Sequence, residues 1–175
     1  DITRLHTADP HHRVPHLAFQ PNAMSDLTVL RRARVAMQTR LTKAWAERQP
    51  DLPLETPQQL LVLASVVEKE TGLAADRNKV AAVFVNRLRI GMPLQSDPTV
   101  IYGLGERFDG NLRKADLQTD TPYNTYTRRG LPPTPIAMPG AAALKAVAQP
   151  DPTQALYFVA RGDGSSVFSN SLADH

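Results

Sequence analysis

A chain of 175 residues is long enough to bury one sizeable core. A composition that is 42% hydrophobic and 21% charged excludes a disordered polymer, and the lack of cysteine excludes disulfides, thiolate metal sites and a cysteine nucleophile. The net charge of +3 is uneven: residues 1–50 hold eight Lys/Arg against four Asp/Glu, and the other 125 hold twelve against thirteen. The excess, carried by Arg31, Arg32, Arg34, Arg40 and Lys43, fits contact with an anionic polymer or a plain solvated helix face.

Residues 1–24 read as irregular, with three prolines and four of the five histidines. His6, His11, His12 and His16 have no readable second shell, and no metal is assigned to them. A helix is expected from Ser25 or Asp26, where an N-cap residue precedes Leu27, Leu30, Ala33, Met37, Leu41, Ala44 and Trp45 at helical spacing. Thr56, Pro57 and Gln59 form the clearest start signal: N-cap, first-turn proline and capping box. The run Leu60–Val67 is apolar nearly all round, so this helix belongs in the centre of the domain, with Gly72 as its stop. Asp76 is placed to cap a third helix carrying Val80, Val83, Phe84, Leu88 and Ile90 and ending at Gly91. Loop-rich sequence follows, with short elements near Ile101, Lys114–Leu117 and Pro122–Tyr126. Pro139-Gly140 opens a last helix, Ala141–Ala148, and Leu156–Ala160 and Ser166–Ser169 read as a hairpin around Gly162-Asp163-Gly164. The sum is an α+β chain, mostly helical.

Two constellations carry chemistry. Glu68-Lys69-Glu70 ends the buried helix, where burial, the negative end of the helix dipole and like charge all push a carboxyl pKa upward, as a general acid requires. A solvated helix end is the bland alternative. Periodicity does not choose between the acids: Glu68 lies angularly between Leu61 and Ala64, Glu70 between Leu63 and Val66. The second constellation is Gln95-Ser96-Asp97, Tyr102 and Tyr123-Asn124-Thr125-Tyr126, amides, hydroxyls and rings suited to sugar hydroxyls, acetamido groups and apolar sugar faces. No phosphate-binding loop and no readable Ser-His triad is present.

Six ordered segments resemble the signature of MltG/YceG-like endolytic murein transglycosylases: Ala64–Thr71, Val85–Leu88, Leu94–Gly103, Tyr123–Tyr126, Gly130–Pro133 and Tyr157–Ala160. The match is dense over about residues 56–175 and loose over 25–50. The resemblance implies a lysozyme-like catalytic domain over 25–175, a piece of a longer chain anchored in the inner membrane by a segment outside it, working on the periplasmic or extracytoplasmic side. It selects Glu68 as the single catalytic acid/base and gives Gln95, Ser96, Asp97, Tyr102, Tyr123, Asn124 and Tyr126 the glycan. The implied reaction cuts the MurNAc-β-1,4-GlcNAc bond of peptidoglycan without water, leaving 1,6-anhydro-MurNAc ends, with neither cofactor nor metal. Growing-wall synthases such as penicillin-binding proteins are the implied partners. Residues 14–21 depart from the Leu-Pro-Asp-Thr-Tyr-like segment that the family usually carries before the first helix.

Two other readings stand beside this one. A lysozyme-type hydrolase would need a second carboxylate to activate water, for which Asp97 is the candidate. A non-catalytic basic module would bind wall glycan through the first helix; nucleic acid fits poorly, since only Trp45 supplies an aromatic there. Because one glycan must meet acid and holding groups together, Leu94–Thr99 and Pro122–Tyr126 are expected to face each other across the groove that holds Glu68.

Overall fold

The computed structural model describes residues 25–174. Among them, six α-helices and one hairpin follow in order: α1 (Ser25–Ala46), α2 (Pro57–Glu70), α3 (Ala74–Ile90), α4 (Asp97–Leu104), α5 (Lys114–Gln118), α6 (Ala141–Ala148), β1 (Tyr157–Ala160) and β2 (Ser166–Ser169). The α+β, mostly helical expectation therefore holds. The expected irregular segment 1–24 and its histidines lie outside the described residues. The described residues divide into two units, one up to Gln38 and one from Thr39 onward. In the first, Leu27, Val29, Leu30 and Val35 of α1 are exposed. In the second, Leu41 and Ala44 of the same helix are buried. No helix among the described residues is long and apolar enough to cross a membrane.

Helix α2 is the centre of the second unit. Leu60 and Val62–Val67 are buried, as the continuous apolar run requires. Around it pack α3, through Val80–Val85, and α6, through Ala143, Leu144 and Ala146–Ala148. The small alanines of α6 allow close approach to α2, and burial of such side chains is the main force holding these helices together.

The start of α2 is as its sequence indicates. Thr56 accepts the N–H of Gln59 on its hydroxyl at 3.2 Å. The return bond of the capping box goes one residue further back, from Glu55 N–H to Gln59 Oε1 at 2.6 Å. The end differs from expectation: α2 stops at an extended Thr71, without a left-handed glycine cap. Gly91 does close α3 in the left-handed region, at φ 70°.

Asp76 is not the cap of α3. That helix begins at Ala74 without a side-chain cap, and Asp76 is buried in its first turn, where Oδ2 accepts the N–H of Ser166 at 2.7 Å. Its carboxylate pins the hairpin to α3 instead. The hairpin is antiparallel, pairing Tyr157 with Ser169 and Ala160 with Ser166, and Phe158 meets Phe84 of α3 edge-to-face at 5.8 Å. Pro122–Tyr126 forms turns and no helix.

Candidate active site

The two glutamates at the end of α2 turn to different walls. Glu68 is half-buried, and its Oε1 accepts the main-chain N–H of Gly140 at 2.8 Å, at the start of α6. One turn earlier, the buried Ser65 donates to Val62 O and accepts the N–H of Ile136 at 3.0 Å. Segment 136–140 is thus tied to α2 at both ends. Gly140 leaves room for the carboxylate: a Cβ there would stand 3.2 Å from Glu68 Oε1. The other carboxylate oxygen makes no hydrogen bond to a described residue.

Glu70 faces the loop before α4. Ser96 Oγ donates to Glu70 Oε1 at 2.6 Å. Burial raises the Glu70 pKa above its ordinary value, nearby Asp97 adds to the rise, and the Ser96 bond and Arg87 oppose it. A hollow of about 320 Å³ is lined by Glu70, Arg87, Gln95, Asp97, Tyr126, Tyr157, Phe158 and Leu172.

Leu94–Thr99 and Pro122–Tyr126 face each other through four bonds. Gln95 N–H reaches Thr125 O at 3.2 Å, Ser96 N–H reaches Thr125 Oγ1 at 2.9 Å, the Thr99 and Thr125 hydroxyls are 2.8 Å apart, and Tyr126 OH donates to Asp97 Oδ1 at 2.5 Å. The Tyr126 pKa is raised, by burial first and then by Asp97, so the phenol stays protonated as the donor.

Of the residues expected to hold a glycan, Gln95, Asp97 and Tyr126 share this hollow, and the glutamate with them is Glu70. Tyr102 and Tyr123 pack ring against ring, with centroids 4.8 Å apart, and the Tyr123 hydroxyl lies 2.9 Å from Thr134 Oγ1. This links the tyrosine pair to the segment that leads to Ile136 and Gly140. Ser96 and Asn124 are fully buried. Asn124 Nδ2 donates to the carbonyls of Leu117 and Thr119, and its Oδ1 accepts from Tyr126 and Thr127 N–H, so all four amide positions are used in shaping the turn.

Reading the residues one by one missed Arg87, Gly140 and Ser65. Arg87 had a signal, since it lies within Val85–Leu88, one of the six resembling segments. It is buried, donating from Nε to Leu156 O at 2.8 Å and from Nη1 to Leu94 O at 2.5 Å. Gly140 read only as a helix opener.

The model of the YceG-like family matches residues 16–175. An endolytic murein transglycosylase of Bacillus subtilis is 49% identical over 117 residues, which cover 67% of this chain and 32% of the relative. An endolytic murein transglycosylase of Streptococcus pneumoniae is 37% identical over 126 residues, 69% of this chain and 23% of the relative. This chain thus spans about a third or less of the length of these curated relatives. The crystal structure of a yceG-like protein from Listeria monocytogenes superposes with a TM-score of 0.68 at 35% identity, covering 85% of this chain and 46% of that one. The family match runs through α2 with both its glutamates, the loop before α4, the start of α6 and the hairpin, and on that breadth the chain belongs to the YceG-like family.

Proposed function

We propose that this chain is the catalytic part of an endolytic peptidoglycan lytic transglycosylase, cutting MurNAc-β-1,4-GlcNAc bonds without water, with Glu68 as its single general acid/base. Similarity to relatives named endolytic murein transglycosylase supports the reaction class. The observation that carries the assignment to Glu68 is its half-buried carboxylate, with one oxygen fixed by Gly140 N–H and the other uncommitted. A carboxyl held this way is oriented without losing the oxygen that must give and take a proton.

In the first half-reaction, protonated Glu68 gives its proton to the glycosidic oxygen as the bond to MurNAc C1 breaks. The 2-acetamido group of the same sugar stabilises C1, so no protein nucleophile is required. In the second half-reaction, ionised Glu68 takes the proton of the C6 hydroxyl, whose oxygen closes on C1 as a 1,6-anhydro ring. Gln95, Asp97 and Tyr126 on one side and Tyr102 and Tyr123 on the other hold the glycan, while Ser96 and Asn124 set the backbone beneath them. On this reading the chain acts on the extracytoplasmic side of the bacterial inner membrane, beside penicillin-binding proteins.

The test is digestion of purified sacculi, with mass spectrometry of the products. Anhydro-ended products, each one water lighter than a hydrolysis product, are expected from the parent chain and absent with Glu68→Gln. Products carrying the extra water would give the chain a lysozyme-type hydrolase activity. A chain that binds sacculi without cutting them would be a glycan-binding module.

A further inference from the structure

We propose that Glu70 is a positioning residue: its carboxyl, acting through Ser96, holds the strained loop Leu94–Asp97 in the shape that turns Gln95 and Asp97 towards the glycan. The inference rests on the reading that the hollow beside this loop receives the glycan. It adds a task for the second glutamate, which the proposed chemistry leaves unused.

Three observations carry it. First, Gln95 has φ 52°, in the left-handed region that a residue with a side chain rarely occupies. Such a conformation persists only where its surroundings over-determine it, and it is found preferentially at ligand clamps. Second, both neighbours of Gln95 are fully buried and anchored. The Leu94 carbonyl accepts from Arg87 at 2.5 Å, and the Ser96 hydroxyl donates to Glu70 at 2.6 Å while the Ser96 N–H donates to Thr125 Oγ1 at 2.9 Å. Third, Gln95 and Asp97, on either side of buried Ser96, are exposed and line the hollow. Among the described residues, the bond between Ser96 and Glu70 is the one hydrogen bond that joins this loop to the end of α2, where Glu68 stands two residues earlier. Burial raises the Glu70 pKa, and the bond from Ser96 opposes the rise.

The tie requires an acceptor of the right length, which Gln supplies and Ala does not. Glu70→Ala and Glu70→Gln are compared in the whole chain carrying Glu68→Gln, so that turnover does not intrude. Two quantities are read. One is amide hydrogen exchange at Gln95 and Ser96, whose N–H groups both bond Thr125. The other is the dissociation constant for a peptide-free octasaccharide of alternating GlcNAc and MurNAc. Glu70→Ala is expected to speed exchange at these two amides about tenfold or more, leaving the core amides of α2 and α3 unchanged. It should also weaken octasaccharide binding about tenfold, as loss of a preorganised loop does. Glu70→Gln should recover most of both. If Glu70→Ala does not fold, Ser96→Ala removes the other half of the same bond and carries the same expectations. Unchanged exchange at Gln95 and Ser96, a Glu70→Gln as damaged as Glu70→Ala, or undiminished octasaccharide binding each overturns the positioning role. An octasaccharide that fails to bind the Glu68→Gln parent overturns the glycan reading itself, and that outcome is separate because the loop variants play no part in it.

Discussion

At the residue scale, the two glutamates are chemically alike and separable by experiment. Glu68→Gln keeps the acceptor for Gly140 N–H, so the fold should persist and the melting temperature should stay near that of the parent. Cutting should not persist, because an amide delivers no proton at neutral pH. General acid–base catalysis is worth about 10²–10⁴-fold, and here one group serves both half-reactions, so a loss of about 10⁴-fold or more is expected in the release of soluble glycan from sacculi. Glu70 makes a different prediction. Its folded-state pKa is raised by burial, with Asp97 reinforcing and Ser96 and Arg87 opposing the rise. A carboxyl raised above its unfolded value, about 4.3, contributes stability that is fully present below that value. This contribution is lost as pH rises through the folded pKa, because the enclosed group must then ionise. Other carboxylates tilt the profile too, so the difference between parent and Glu70→Gln is what counts. Urea midpoints measured from about pH 4 upward should fall more steeply, or rise less, in the parent than in the variant. Parallel profiles would show that Glu70 does not titrate across that range.

At the element scale, helix starts and close approaches offer tests that do not depend on the substrate. Thr56 caps α2 through its hydroxyl, and Thr56→Ala should cost about 1 kcal/mol in denaturant unfolding. Gly140 precedes α6 at φ −78° and ψ 172°, a conformation alanine adopts freely. Gly140→Ala should therefore leave stability equal or slightly higher, through the unfolded chain's lost freedom. The new methyl would stand 3.2 Å from Glu68 Oε1, so the carboxylate must shift by a few tenths of an ångström. A kcat about tenfold lower with an undiminished melting temperature is expected; a fall in stability instead would mean that the wall, and not the acid, had moved. Gly103 in α4 is the contrasting case. A Cβ there would stand 2.7 Å from Thr121 Oγ1 and 3.2 Å from Tyr123 Cβ, so Gly103→Ala should cost about 1–3 kcal/mol by overpacking. Asp76 shows where element reading went astray: an acid at the head of a helix reads as a cap until a hairpin 90 positions away claims it.

At the scale of the whole molecule, α2 packs against α3 and α6, and its C-terminal end meets two walls from distant parts of the chain. Removing a buried side chain from its middle, as in Leu63→Ala, should cost about 2–5 kcal/mol and unfold the second unit without a chemical defect in the fraction that remains folded. Activity per folded molecule, measured on sacculi with the folded fraction read by circular dichroism, separates that outcome from a change at the site. The sequence by itself determined the helical elements, the buried centre at Leu60–Val67, the hairpin, the paired glutamates and the family. These follow from periodicity, capping chemistry and ordered segments, all of which are local along the chain. Only the tertiary structure decided which wall each glutamate meets. Both acids border apolar positions on the helix, so the helical rotation of about 100° per residue leaves the choice open. It is made by partners far along the chain: Gly140, 72 positions from Glu68, and Ser96, 26 positions from Glu70. Likewise, no local pattern tells that Asn124 spends its amide on its own turn, or that Arg87 reaches the carbonyls of Leu94 and Leu156, because a hydrogen bond is satisfied by whichever partner the packing brings within about 3 Å.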